Sequence, residues 1–126
     1  VYEYAEPIRT QGFVYMDTPG YDPASVTGMV AGGSYQVLFT TGRGSVAGYK
    51  PAPVMKISTN TAMYQRMTGD MDWNAGAILD GDSNFETSAA GLLELVIAVA
   101  SGSPTKSEAY GMGEVEFVPW NPIGFV

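Results

Sequence analysis

Two apolar runs bracket a helix-like segment early in the chain, and this order constrains the fold more than any other feature. Gly12-Phe13-Val14-Tyr15-Met16 is short, unalternating and aromatic-rich, and Asp17-Thr18-Pro19-Gly20 stops it. Such a run predicts a buried strand. Asp22-Pro23 follows as a helix start, with Asp at the N-cap and Pro at the first helical position. The helix is expected to pass through Val26, Met29 and Val30 and to end at Gly32-Gly33. Tyr35 to Thr40 is the second strand. Strand, helix and strand within ~30 residues make a βαβ unit, so the two strands should be parallel.

Downstream, Val54-Met55-Lys56-Ile57-Ser58 predicts a third strand, and Thr59-Asn60-Thr61 offers caps for a short helix over 62–67 closed by Gly69. Residues 70–81 mix apolar, small and acidic side chains without a period. Asn84-Phe85-Glu86 opens the clearest helix; apolar positions 89, 92, 93, 96, 97 and 100 form a helical stripe, and Gly102 and Pro104 stop it. A strand at Leu95 to Val99 is the alternative, and length favours the helix. The Pro-broken, aromatic tail from Glu116 to Val126 is expected to lie as an extended segment or edge strand. Residues 1–126 thus read as a single α/β domain: a small, mostly parallel sheet flanked by helices, with a Rossmann-like βαβ start. A chain of 126 residues can bury roughly two-thirds of its unfolded surface without staples.

Composition removes several function classes. The chain has 6 basic and 13 acidic residues, a net charge of −7, which opposes binding to nucleic-acid phosphates or an anionic membrane surface. There is no Cys, which excludes disulfides and thiolate metal sites, and no His, which excludes His bases and His-ligated zinc. Chemistry within these residues must use carboxylates, Lys, Tyr, Ser/Thr or an oxygen-held metal. The longest apolar run, Leu92 to Ala100, is broken by Glu94 and falls short of the ~20 residues of a membrane span. The chain starts at Val1 without an initiator Met, so it is expected to be a piece of something longer.

In a parallel α/β sheet, ligands bind beyond the carboxyl ends of the strands. The expected strands end at Asp17-Thr18, at Thr40-Thr41-Gly42-Arg43-Gly44-Ser45 and at Ser58-Thr59-Asn60-Thr61, and these loops should open on one edge. The loop from Thr40 to Lys50 is the sharpest feature. Its glycines allow close backbone approach, and Arg43 and Lys50 are two of only six cations. With the hydroxyls of Thr41 and Ser45 it reads as a cradle for a small acid, and the alternative is a plain surface loop with a solvated Arg. It has neither the Gly-Lys-Ser/Thr of a P-loop nor a helix opening after its glycines. Asp17 reads first as a turn residue and second as a site residue. Asp70, Asp72, Asp80 and Asp82 match no calcium loop and read as solvated carboxylates. Tyr21, Tyr49, Tyr64 and the seven Met residues read as packing residues.

Met16-Asp17-Thr18-Pro19-Gly20-Tyr21-Asp22-Pro23, Ser25-Val26-Thr27-Gly28, Thr40-Thr41-Gly42-Arg43-Gly44-Ser45, Lys50-Pro51-Ala52-Pro53 and Thr59-Asn60-Thr61 follow one another in an order that resembles the altronate/galactarate dehydratases. The likeness continues through Asp70-Met71-Asp72, Asn74-Ala75-Gly76, Leu79-Asp80-Gly81, Ala100-Ser101-Gly102, Thr105-Lys106-Ser107-Glu108 and Glu116-Phe117-Val118-Pro119-Trp120. It covers nearly the whole chain and is similar to the C-terminal region of that family. The resemblance implies a cytoplasmic hydro-lyase that turns sugar acids into 2-keto-3-deoxy acids with a divalent metal, typically iron, in the full enzyme and none in this domain alone. A related branch eliminates sulfite from sulfolactate. The implied partners are a small anionic sugar acid and the missing N-terminal and central domains or a partner subunit, and a homo-oligomer is open. The resemblance implies Cys in many relatives at the positions of Tyr49 and Ala75, and an aliphatic residue as usual at Trp73, so the substrate or metal is open to difference. Arg43 and Lys50 are expected as anion contacts, with Thr41 and Ser45 beside them and Asp17, Thr18 and Asn60 on the same edge. The competing readings are a non-catalytic binding or assembly module, a split subunit of a sulfolactate-type lyase and, least, a nucleotide-binding regulator.

Overall fold

Val54–Ser58 is buried at all five positions, and this places it at the centre of the sheet. The computed structural model describes residues 1–118. In chain order the elements are α1 (Asp22–Ala31), β1 (Val37–Thr41), β2 (Val54–Ser58), α2 (Thr61–Arg66), β3 (Trp73–Asn74), α3 (Ala77–Asp80), α4 (Phe85–Ala100) and α5 (Lys106–Ala109). Among the described residues the sheet has three strands in the order β1-β2-β3, all parallel. Val37 pairs with Val54 and Thr41 with Ser58, and β3 pairs with the last two residues of β2. A strand with neighbours on both sides and covered faces reads as a continuous apolar run, which is how Val54 to Ser58 reads apart from Lys56.

Side chains alternate between the two faces of a strand. Val37 and Val54 share a core cluster with Val26 of α1 and with Tyr49, and Met29, Val30 and Phe39 pack against it. Leu38 points the other way, into a groove that it shares with Val99 and Ala100 of α4. Helices therefore lie on both faces of the sheet, as the α/β reading expects. No helix among the described residues is long and apolar enough to cross a membrane.

The βαβ unit is present, but one step further along the chain than expected. Gly12–Met16 does not enter the sheet. It makes one parallel bridge, Met16 to Tyr2, in which the Tyr2 N–H donates to the Tyr15 carbonyl at 2.7 Å and the Asp17 N–H to the Tyr2 carbonyl at 2.9 Å. Phe13 is almost wholly exposed, and of this run only Met16 is buried. An unalternating run needs cover on both faces to be a strand, and here the N-terminal residues take its backbone instead. The parallel βαβ unit is β2-α2-β3, and β1 is left as an edge strand. Tyr21 is the N-cap of α1 and Asp22 its first residue, so the helix starts one position earlier than expected. Asp22 then puts a carboxylate in the first turn, where the helix dipole favours it.

The patternless stretch 70–81 resolves into the two-residue β3 and the short α3, closed by Gly81. Asn84 caps α4 by accepting from the Thr87 N–H at 2.8 Å, as its sequence predicts. The helix does not bury its apolar stripe, however: only Ser88 and Val99 are buried. A capping box over Thr105 and Glu108 starts α5. Of the tail, Val118 is buried and its N–H donates to Thr27 Oγ1 at 3.2 Å, while Pro119 to Val126 lie outside the described residues.

Candidate functional site

The carboxyl ends of β1, β2 and β3 carry Thr41, Ser58 and Asn74, and side chains knit the three loops that follow. The Thr59 N–H donates to the Thr41 carbonyl at 3.0 Å. Asn60 works in two directions: its Oδ1 accepts from the Met63 N–H at 2.9 Å and caps α2, and its Nδ2 donates to the Gly42 carbonyl at 3.0 Å. Asn74 joins β3 to the start of α2, its Nδ2 donating to Thr61 Oγ1 at 3.0 Å. The loops meet so closely that a Cβ on Gly76 would come 2.4 Å from the Thr61 nitrogen.

The β1 loop is shaped by its own hydroxyls. Thr41 Oγ1 accepts from the Arg43 N–H at 3.3 Å and the Gly44 N–H at 3.1 Å, and Ser45 Oγ accepts from the Ala47 N–H at 3.1 Å. Gly44 has φ +97°, a left-handed conformation that needs glycine. This folding leaves Arg43 exposed, and its guanidinium makes no hydrogen bond or ion pair among the described residues. An open groove of about 570 Å³ runs along Phe39, Thr41, Arg43 and Ser45 to Asp22 at the start of α1. A smaller apolar cavity of about 200 Å³ adjoins it, between Pro23, Val26 and Tyr49. Arg43, Thr41 and Ser45 thus line one groove, and Asn60 is tied to it through Gly42.

The other expected site residues stand apart from that groove. Lys50 is drawn into an exposed ion pair with Glu114. Thr18 Oγ1 shares a hydrogen bond of 2.8 Å with Ser25 Oγ on α1, and Asp17 is exposed beside it. Asp22, which the sequence suggested only as a helix start, contributes a carboxylate to the groove.

The acidic set reads differently in three dimensions. Asp72 is not solvated: its side chain is 6% exposed. Its Oδ2 accepts from the Lys56 N–H at 2.7 Å, and its Oδ1 from the Lys106 N–H at 2.8 Å. Lys56 is fully buried, and its Nζ lies 3.6 Å from Asp72 Oδ2 without a hydrogen-bond partner among the described residues. Burial pushes the Lys56 ammonium below the ordinary lysine range, and the Asp72 carboxylate opposes that shift. The one hint in the sequence was a cation inside an unbroken apolar strand. Trp73 is a packing residue: its Nε1 donates to Ser88 Oγ at 3.4 Å, and its ring lies against Gly91 of α4. Tyr49 is in the core, while Ala75 sits at the sheet edge, its N–H donating to the Ser58 carbonyl at 2.9 Å.

Among the described residues no three carboxylates come close enough to hold a metal ion.

A family model, D-galactarate/altronate dehydratase, C-terminal, matches residues 1–124. The chain belongs to this family. It is 34% identical over 108 residues to the altronate dehydratase of Bacillus subtilis, covering 86% of this chain and 22% of that protein. It is 37% identical over 103 residues to the galactarate dehydratase (L-threo-forming) of Escherichia coli K12, covering 81% and 20%. It is 30% identical over 118 residues to the (2R)-sulfolactate sulfo-lyase subunit beta of Chromohalobacter salexigens, covering 94% and 30%. The dehydratase-family segment described here thus spans between a fifth and a third of the length of these relatives.

Proposed function

We propose that this chain is the C-terminal domain of a cytoplasmic hydro-lyase that dehydrates a sugar acid of the altronate or galactarate type, and that its β1 loop binds the substrate carboxylate. The observation that carries the reading is Arg43: an exposed guanidinium, unpaired among the described residues, on a loop fixed by Thr41 and Asn60 at the carboxyl edge of a parallel sheet. Dehydration next to a carboxylate removes the proton on the carbon beside it and breaks the bond to the hydroxyl on the following carbon. Water leaves and an enol forms, which becomes the 2-keto-3-deoxy acid. Negative charge builds on the carboxylate as the proton goes, and donors aimed at it lower the barrier. Arg43 supplies a forked donor of fixed charge. Thr41 and Ser45 each have an O–H with no acceptor among the described residues, turned to the same groove. Asn60 positions the loop through Gly42. Lys50, Asp17 and Thr18 stand outside this groove, and Lys50 would reach substrate only on release from Glu114. The proton-accepting base and the metal belong to the rest of the enzyme.

The sulfo-lyase relative supports a second reading, in which the chain serves as part of a separate subunit acting on a sulfonated hydroxy acid. Both readings use the same carboxylate contact. The test is Arg43→Ala and Arg43→Lys in the complete enzyme, assayed with altronate, galactarate and sulfolactate. We expect Arg43→Ala to lower kcat/KM about 100-fold or more on the true substrate, with partial recovery in Arg43→Lys. A value within threefold of the parent for Arg43→Ala removes the loop from the site.

A further inference from the structure

We propose that the outward face of α4 is the seat of another part of the dehydratase, an apolar ridge flanked by basic side chains that lies N-terminal to this segment in its relatives. The inference rests on the family reading given above.

Phe85, Ala89, Leu93 and Ile97 recur every fourth residue and so form one stripe along the helix. Phe85 is 74% exposed, Leu93 59% and Ile97 57%. The helix is fastened on its other side, where Ser88 and Val99 are buried, Trp73 lies against Gly91, and Gln36 Nε2 donates to the Val96 carbonyl at 3.2 Å. The stripe is therefore presented by a docked helix. At the C-terminal end of α4 it meets a groove of about 700 Å³ whose walls include Ala100, Leu38 and Tyr35, and Leu38 and Tyr35 are themselves exposed. A contiguous apolar surface of this kind on a soluble domain marks an interaction site.

Two observations choose the occupant. First, this segment accounts for 22%, 20% and 30% of the three relatives, and the matching family model is that of a C-terminal region, so most of a relative's folded mass lies ahead of it. Second, the only charged side chains of α4 are Glu86 and Glu94. Two copies packed stripe to stripe would gather four carboxylates in one seam with no cation from either helix, on a chain of net charge −7. A surface with Lys or Arg beside its apolar ridge has the complementary sign.

The test places a photo-crosslinking amino acid at Leu93 or Ile97 in the protein as its own gene expresses it, and maps the products by mass spectrometry. The expected result is a cross-link from 93 and from 97 to dehydratase sequence outside residues 1–126, in the same polypeptide or in a companion subunit. A cross-link to residues 85–100 of a second copy overturns the proposal in favour of a homodimer. Absence of products at both 93 and 97 overturns it as well, because the stripe is then solvated. The Arg43 assay is indifferent to what covers α4, so failure here with the Arg43 effect intact sinks the docking surface and leaves the proposed function standing.

Discussion

Asp72 and Lys56 form a pair whose two halves should behave very differently on removal. Asp72→Ala deletes the carboxylate beside a fully buried ammonium and strips two backbone N–H groups, those of Lys56 and Lys106, of their acceptor. Breaking a buried pair in this direction costs about 3–5 kcal/mol. That is a large share of the ~5–15 kcal/mol that holds a domain together. With a urea slope of about 1.5 kcal/mol/M, a loss of about 4 kcal/mol lowers the unfolding midpoint by about 2.7 M. Lys56→Met removes an ammonium that has no hydrogen-bond partner among the described residues and leaves Asp72 with both of its N–H donors. That change should cost no more than about 1 kcal/mol, and the double variant should recover part of the Asp72→Ala loss. The pH dependence carries the same signature. Burial lowers the folded pKa of Lys56 below its unfolded value of 10.5, so the unfolded chain binds the extra proton between the two. Stability from this group therefore rises with pH up to about 10.5, and Lys56→Met abolishes that rise. Equal losses in both single variants, with no coupling between them, would refute the reasoning.

Two further substitutions test the carboxyl edge. Asn60→Ala removes the cap of α2 and the tie to Gly42 together, so it should cost about 1 kcal/mol in urea unfolding and weaken acid binding at the β1 loop; a stability loss with binding unchanged would separate the cap from the loop. Gly76→Ala drives a Cβ to 2.4 Å from backbone that cannot swing aside, so the thermal midpoint should fall by several degrees, and an unchanged midpoint would mean that the edge relaxes freely.

What the sequence made legible was mostly local. Asn84 and Gly102 bracket α4, and Val54 to Ser58 reads as a buried strand, because caps and apolar runs act through neighbouring residues. Gly12–Met16 misled because its pairing partner, Tyr2, competes with the sheet, and a run of apolar residues does not say which backbone it will join. The α4 stripe was found by its period, but period gives a face and not its direction, and here most of it points outward. Thr105 and Glu108 spell a capping box that could have been read as the start of α5. Asp72 could not be placed, since its bonds go to Lys56, 16 residues back, and Lys106, 34 residues on. For the site, the β1 loop was readable from its glycines and Arg43, whereas Glu114 drawing Lys50 aside depends on a contact across 64 residues.

The most direct test of the central claim is an NMR titration of the 126-residue chain with galactarate, with the neutral sugar galactitol as control. Amide shifts should concentrate from Thr41 to Ser45 and at Asn60 at millimolar galactarate, be absent with galactitol and be abolished by Arg43→Ala. Shifts that cluster elsewhere, or that survive Arg43→Ala, would contradict that claim.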